Sequence, residues 1–275
     1  MKPGRPIRPT GIRPVRSPGQ DRQVDSPAVL ILLPPSEGKA DRGDGPPLDF
    51  GRLSSPTLNP VREQLVDRVI ELCADEDAAA ETLKLTVRQR QWVSRGRELK
   101  TAPTLAAWEL YTGVLYERLG LGDLPDSGQV LIASPLWGLL RPSDRIPPYR
   151  VPMSAALPGS ERLAALWRPA VAEVLGSGED LVVDLRSETY ARVWNPKNRG
   201  VTIRVCREDA DGKRSVVTHM AKATRGEVAR ALLASGVQPS TPAELGDFLS
   251  SQGWKVELTE PPTRSKTWLL EVVAS

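Results

Sequence analysis

Five branched apolar residues in a row, from Val29 to Leu33, end directly in Pro34 and Pro35, and this feature constrains the fold more than any other. An apolar run without alternating polar residues is typical of a strand that is buried on both faces. The sequence therefore predicts a sheet with helices on both of its faces.

Apolar runs and amphipathic segments interleave along the rest of the chain, which favours a single α/β (α+β) domain with a mixed β-sheet flanked by helices. Two of the runs lie on either side of a polar turn at residues 208–213 and predict a hairpin. Thr241 to Glu244 form a capping box, which predicts a helix start. Further strands are expected at Gln129–Ala133, Leu181–Val183, Val201–Cys206, Ser215–His219, Trp254–Leu258 and Thr267–Val273. Helices are expected after Pro60, over 78–98, and at Pro103–Leu119, Glu161–Leu175, Lys222–Ala234 and 242–251.

Positive charge is distributed unevenly. Residues 1–25 are rich in Pro, Gly and Arg, with six basic and two acidic side chains. This composition predicts a disordered arm in front of a domain at residues 26–275. The arm could touch nucleic acid or be a non-functional extension.

Residues 181–230 carry eleven basic and six acidic side chains, which could present a positive face to phosphates or be a solvated surface.

Several classes of protein are disfavoured by what the sequence lacks. No apolar run approaches the roughly 18 residues of a membrane span, and no secretory leader opens the chain, so a soluble, cytoplasmic protein without a membrane partner is expected. The chain has one histidine, His219, and two distant cysteines, Cys73 and Cys206. These residues cannot form the usual zinc or redox-iron sites, so we expect no tightly bound metal, no cofactor and two buried, reduced thiols.

Two segments have the residues for binding anions. Gly38-Lys39 follows the first strand but lacks the flanking residues of a phosphate-binding P-loop. Loops after strands often carry function, so Ser36 or Lys39 could still touch an anion there.

Residues 134–150 combine arginines, including Arg141 and Arg150, with aromatic rings and prolines, a composition that could hold guanidinium groups ready for phosphate. The alternative is an Arg141–Asp144 network that only pins the loop.

Five motifs together resemble the YaaA family of peroxide stress resistance proteins, and they occur in the family's order over residues 29–275. They are LILLPPSEGKA at 30–40, YTGVLY at 111–116, WGLLRPSDRIPPYRVPM at 137–153, DLRSETY at 184–190 and HMAKATRG at 219–226. The chain departs from the commoner pattern at Pro135, which disfavours a hairpin turn there, and at Arg186, which we expect to add positive charge.

The resemblance implies a fold peculiar to the family, with a positively charged cleft, a helix-hairpin-helix-like element and DNA as the partner. It also implies protection from hydrogen peroxide by limiting iron-driven hydroxyl-radical damage. Carried over residue by residue, the family's characteristic polar positions are Lys39, Tyr111, Gly113, Arg141, Asp144, Tyr149, Arg150, Ser187, Glu188, Tyr190, Lys222, Arg225 and Gly226.

Three functions stay open on the sequence alone. The first is DNA binding without turnover, through phosphate contacts from basic residues that line one cleft. The second is an enzyme acting on a nucleotide or damaged base, with Glu188 or Asp144 as general acid or base and Tyr190 or Lys222 assisting. The third is an anion-binding interaction module that binds no nucleic acid.

Overall fold

The first apolar run is an inner strand of the main sheet in the computed structural model, which describes residues 29–41, 43–125, 128–176, 178–217 and 220–273. The expected arm at residues 1–25 and His219 lie outside these residues. The strands are β1 (Val29–Leu33), β2 (Leu105–Ala106), β3 (Val130–Ser134), β4 (Gly138–Leu140), β5 (Arg145–Ile146), β6 (Leu181–Asp184), β7 (Gly200–Glu208), β8 (Arg214–Val216), β9 (Val256–Thr259) and β10 (Trp268–Val273). The helices are α1 (Asn59–Leu72), α2 (Glu76–Thr82), α3 (Gln91–Arg97), α4 (Ala107–Leu110), α5 (Val114–Leu119), α6 (Leu163–Leu175), α7 (Glu188–Ala191), α8 (Ala221–Ser235) and α9 (Pro242–Ser251).

The main sheet is mixed and has eight strands, in the order β4-β3-β1-β6-β7-β10-β9, with β8 paired to β7. Strands β3, β1, β6, β7 and β10 run parallel to one another, whereas β4, β8 and β9 are antiparallel additions. This arrangement confirms the predicted mixed sheet in one domain. β1 lies between β3 and β6. The chain therefore passes from β1 to β3 on one side, and later adds β6 on the other side of β1. Such a point in a parallel sheet opens a crevice at the carboxyl ends of the strands.

The core is built from the apolar faces that the sequence patterns predict. Every residue of β3 and β6 is buried, as are four of the five in β1. The hairpin of β7 with β8 is confirmed, and so is the Thr241 cap, whose side chain accepts from the Glu244 amide. Both cysteines are free and buried, as expected.

Three local predictions are wrong. Residues 78–98 are not continuously helical, because α2 ends at Thr82, Lys84 has a positive φ of 54° and α3 begins at Gln91. The segment Pro103–Leu119 is not one helix: it forms β2, α4 and α5, and the break falls at Gly113, whose φ of +109° only glycine adopts without strain. Pro135 does not prevent a hairpin, because β4 pairs antiparallel with β3 from Ser134–Gly138 to Ile132–Leu140.

One buried arginine ties α1 to this hairpin. The Arg62 guanidinium, fully buried, donates to the carbonyl groups of Trp137, Leu139 and Ser54 at 3.0, 2.6 and 2.8 Å. Burial lowers the pKa of Arg62 to about 10, while the nearby Asp144 acts in the opposite direction. Arg62 therefore remains charged at neutral pH and serves as a structural cross-link.

Within the described residues, no helix combines the length with the hydropathy needed to cross a lipid bilayer.

Candidate functional site

The carboxyl end of β1 positions Lys39. The chain turns through Pro34 and Pro35, and Lys39 then forms an isolated antiparallel bridge with Tyr111. The Ala40 amide donates to the Leu110 carbonyl at 2.9 Å, and Tyr116 fastens the start of the loop by donating its hydroxyl to the Pro34 carbonyl at 2.7 Å. The loop after β1 is thus held rigidly against the segment 110–116.

The Lys39 amine lies over two aromatic rings. Its Nζ atom is 4.8 Å from the centre of the Tyr149 ring and 5.4 Å from that of Tyr111. It donates to the Ser36 carbonyl at 2.6 Å. Burial, reinforced by the positive charge of Arg150, lowers the pKa of Lys39 to about 7, although Glu37 acts to raise it. Near neutral pH the amine is therefore protonated in only part of the molecules.

Three buried hydroxyl groups form a chain beside this amine. The Tyr149 hydroxyl lies 2.7 Å from the Ser134 hydroxyl and 2.7 Å from that of Tyr111. Ser134 is the last residue of β3, so the carboxyl ends of β1 and β3 meet here. Burial raises the pKa of both tyrosines, which keeps their hydroxyl groups protonated.

The direction of this hydroxyl chain follows from its Ser134 end. The Ser134 oxygen accepts from the amides of Leu136 and Trp137 at 3.3 and 3.0 Å, which occupies its two lone pairs. Its own proton is then directed to Tyr149, whereas either tyrosine can be the donor in the bond between Tyr149 and Tyr111. Tyr111 is only 1% exposed, so the chain of hydroxyl groups is part of the buried support beneath the Lys39 amine.

Arg150 supplies a second positive charge next to Lys39, as its effect on the lysine pKa shows. The arginine is half-buried, and within the described part of the chain its guanidinium has no hydrogen-bonded or ion-paired carboxylate. Glu37, the acidic side chain that acts on Lys39, is exposed. We call Ser36, Lys39, Tyr111, Tyr149 and Arg150 the lysine site. It has more donors than acceptors, which is the composition that recognises an anion.

The carboxyl end of β6 adds further predicted residues on the neighbouring strand. Glu37 contributes to raising the pKa of Tyr190 to about 12, after the larger effect of burial, so the loops following β1 and β6 lie near each other. Ser187 and Glu188 are exposed, and Glu188 pairs with Arg192 at 2.5 Å on the surface. A solvated pair of this kind does not hold Glu188 ready for acid or base catalysis.

Arg186, expected to add positive charge, does not do so. Its side chain is 1% exposed and forms an ion pair with Asp184 at 2.7 Å, with a further bond from the guanidinium to the Trp194 carbonyl. The pair is neutral as a unit and pins the turn after β6.

Arg225 and Lys222 project from the first turns of α8. Arg225 donates to the Ile203 carbonyl of β7 at 3.2 Å, and its buried Nε atom has no partner within the described residues. The β7 residue before Ile203 pairs with Asp184, which is the last residue of β6. Ile203 therefore lies level with the carboxyl end of β6, and Arg225 lies at the same edge of the sheet as the lysine site. Lys222 is exposed one turn earlier.

Arg141 and Asp144 lie elsewhere. Arg141 donates to the Gly128 carbonyl, which precedes β3, whereas Ser134 ends that strand. The five residues of β3, which span about 15 Å, therefore separate the Gly128 carbonyl from Ser134. Asp144 accepts from the Ser54 amide, the Ser54 hydroxyl and the Arg141 amide at 2.8, 2.5 and 2.8 Å. Its carboxylate therefore fastens a loop, and the lysine site as we define it leaves both residues out.

The sequence predictions did not include Ser134, whose hydroxyl bonds Tyr149, or Arg62, which links α1 to the hairpin of β3 with β4. Ser134 stands at the end of a predicted buried strand, where the rule used for Lys39 applies equally. Arg62 lies on the apolar stripe of α1 with Leu65 and Val69, and a charged residue on such a stripe signals a buried cross-link. Among the described residues, no three His, Cys, Asp or Glu side chains group into a possible metal site.

Comparison with known proteins points to one family. The family model for the peroxide stress protein YaaA matches residues 29–259. A UPF0246 protein of Streptomyces coelicolor is 44% identical over 258 residues, covering 89% of this chain and 98% of that protein. UPF0246 proteins of Corynebacterium efficiens and Corynebacterium glutamicum are each 36% identical, over 84% and 89% of this chain and 96% and 100% of theirs.

Proposed function

This chain belongs to the YaaA family of peroxide stress proteins, and on that premise we propose that it binds DNA through phosphate contacts at the lysine site. Binding would limit iron-driven hydroxyl-radical damage to the DNA that it covers, in the cytoplasm. The basic cleft and the helix-hairpin-helix element implied by the family resemblance are part of this proposal and stay predictions.

One observation carries the proposal: the adjacent cations Lys39 and Arg150 have no bonded carboxylate within the described residues. Desolvated cations that are not neutralised by the protein attract an anion from outside. A phosphate oxygen could accept from the Arg150 guanidinium and from the protonated Lys39 amine. Arg225, with an unpartnered Nε atom at the same edge, could extend these contacts along a phosphate backbone.

The placement of the carboxylates gives no support to an enzyme built on Glu188 or Asp144. Glu188 is a solvated partner of Arg192, and Asp144 is bonded to three donors in a loop away from Lys39. No observation favours Lys222 or Tyr190 as a partner of either carboxylate. DNA binding by the lysine site is therefore the function that the geometry supports best.

The test is the affinity for duplex DNA over a range of salt concentrations. Each phosphate contact contributes about 0.9 to the slope of log K against log salt. We expect Arg150→Gln to weaken binding about tenfold, because a charged hydrogen bond is lost, and to flatten this slope by about one contact.

Arg168→Gln is the matched control, because Arg168 is an exposed arginine on α6. It should leave both the affinity and the slope unchanged. An affinity that does not depend on salt, or equal losses in the two variants, would overturn the proposal. Failure to bind duplex DNA and RNA even at low salt would favour an anion-binding module without nucleic acid.

A further inference from the structure

An open apolar groove lies at the amino end of β3, whereas the lysine site lies at the carboxyl end of that strand. The groove has a volume of about 170 Å³, and its lining includes Trp108, Leu121, Leu124, Pro125, Pro142 and Leu233. A Cβ atom added at Gly122 would lie 2.7 Å from the Trp108 ring, so the Gly122 backbone packs against the indole. The indole is nevertheless 39% exposed, and part of the ring is open to a partner. We call this feature the Trp108 groove.

The lining of the Trp108 groove has the chemistry that recognises proline-rich segments. Such segments bind aromatic-lined grooves as polyproline II helices, and they lose little entropy because proline already favours that conformation. Trp108 supplies the aromatic ring, and Pro125 and Pro142 supply rigid apolar walls. Among the lining residues, Ser143 alone carries a hydroxyl group and none is charged. The groove therefore fits an apolar, preorganised segment better than a small charged molecule.

The chain carries a segment of this kind at residues 2–9, which read KPGRPIRP. Prolines recur every three residues, at 3, 6 and 9, and cations recur every three residues, at 2, 5 and 8. A polyproline II helix has three residues per turn. In that conformation the prolines would lie along one edge of the helix and the cations along the next edge. One edge could then contact an apolar groove while the neighbouring edge contacts an acidic rim.

The sheet brings this segment close to the groove. The first described residue of the chain is Val29 in β1, and Ile31, two residues later, pairs with Val130, which lines the groove. Residues 10–28 can span about 60 Å when extended, which is far more than the spacing of neighbouring strands. A short tether also raises the effective concentration of the segment to about the millimolar range, so that even a weak contact is populated.

Charge favours the same placement. Asp123 follows Gly122 at the rim of the groove, and its side chain is 78% exposed. Its ion pair with Arg230 is long, at 3.9 Å, which leaves the carboxylate accessible to another cation. Residues 1–25 have six basic and two acidic side chains, so a cation from this segment can pair with Asp123.

We propose that residues 2–9 dock in the Trp108 groove of the same chain, with the prolines against the indole and a cation paired with Asp123. The inference does not rest on the proposed function, because the length of β3 separates this groove from the lysine site. Docking gives the basic segment a defined partner on the domain. It also holds those cations at the edge of the sheet that lies away from Lys39.

Crosslinking within the full chain tests the inference. A photoreactive benzophenone amino acid is placed at position 7 instead of Ile7, on the helix edge that carries neither the prolines nor the cations. After irradiation, we expect a covalent link within one chain, and peptide mass mapping should place it on Trp108 or on residues 121–125 or 142–143. Links between two chains would mean that the segment docks on a second copy. That result, or links to added duplex DNA in place of the groove, would overturn the proposal.

Matched variants then identify the contacts. Pro6→Ala combined with Pro9→Ala removes two prolines of the repeat and should lower the yield of this link about tenfold. Pro14→Ala combined with Pro18→Ala changes two prolines outside the repeat and should leave the yield unchanged. Equal yields from the two pairs would overturn the proposal.

Fluorine NMR on the chain labelled with 5-fluorotryptophan gives a second measurement, without the crosslinker. The chain has seven tryptophans, and the Trp108 signal is identified by its loss in Trp108→Phe. We expect this signal to shift when Pro6 and Pro9 are replaced, while the other six signals stay in place and show that the fold is intact. A Trp108 signal that does not move would contradict docking at the indole.

Discussion

The Nζ atom of Lys39 lies 4.8 Å from the centre of the Tyr149 ring, although 110 residues separate the two in sequence. The loop after β1 brings the lysine, and the proline-rich segment after β5 brings the tyrosine. Ser134, at the end of β3, forms a hydrogen bond with the Tyr149 hydroxyl and so holds the Tyr149 ring in position beneath the amine. The sheet order that makes β1 and β3 neighbours is therefore what creates the lysine site.

Lys39 should lower the stability of the folded protein at neutral and acidic pH. Its pKa falls from 10.5 to about 7 on folding, so between these values the unfolded chain binds the proton and the folded one does not. Stability then rises with pH across this window, and the penalty is fully present below pH 7. We expect Lys39→Met to raise the free energy of unfolding by about 2 kcal/mol at pH 6.

The advantage of Lys39→Met should shrink as the pH rises toward 10. Denaturant unfolding of both proteins at pH 6, 8 and 9.5 measures it, and the difference between them cancels the titration of all other groups. An advantage that is the same at every pH would show that Lys39 keeps an ordinary pKa in the folded protein.

Replacing Asp144 should damage the fold while sparing DNA binding. Asp144→Ala removes the acceptor for the amides of Ser54 and Arg141, and leaving buried donors unsatisfied costs about 3 kcal/mol. Thermal unfolding measures the loss. Asp44→Ala breaks only an exposed ion pair with Arg145 and should cost less than about 1 kcal/mol. Normal stability of Asp144→Ala combined with lost DNA affinity would contradict this role.

Most of the fold could be predicted because its elements carry local signals. The run at β1, the hairpin of β7 with β8 and the cap at Thr241 are each specified by neighbouring residues, and each was confirmed. The break of Pro103–Leu119 at Gly113 could not be predicted in this way. The helical spacing of its apolar residues was overridden by the bridge between Lys39 and Tyr111, a long-range contact that periodicity does not report.

The candidate site was predicted in its residues but not in its grouping. Lys39, Tyr111, Tyr149 and Arg150 came from separate motifs, and the structure joins them, whereas Arg141 lies at the other end of β3. Arginine signals charge in a sequence, yet whether that charge is available depends on its partners. The sequence shows that Asp184 stands two residues before Arg186, but not that the two form a buried pair.

Gly113 should be needed both for stability and for the geometry of the lysine site. An added Cβ atom would lie 2.9 Å from the Ser36 hydroxyl, and the φ of +109° is strained for any other residue. We expect Gly113→Ala to cost about 2 kcal/mol or more and to weaken DNA binding, because Ser36 is part of the loop that holds Lys39.

Gly253→Ala separates backbone strain from contact with the site. Gly253 also has a positive φ, +92°, but nothing lies within 4 Å of an added Cβ atom. It should lose about 1 kcal/mol for the backbone alone and bind DNA normally. The melting temperature and the DNA affinity are measured on both variants. Equal values for the two variants would show that the Ser36 side chain moves aside without disturbing Lys39.

Breaking the ion pair of Arg186 with Asp184 should be far more harmful than removing it whole. Arg186→Met leaves the Asp184 carboxylate buried with only the distant charge of Arg225, and an uncompensated buried charge costs about 3 to 5 kcal/mol. In the double variant with Asp184→Asn no charge is stranded, and apolar packing can replace the pair, so most of the stability should return. A double-mutant cycle by denaturant unfolding measures the coupling. Additive losses would mean that the two side chains act independently and would contradict the buried ion pair.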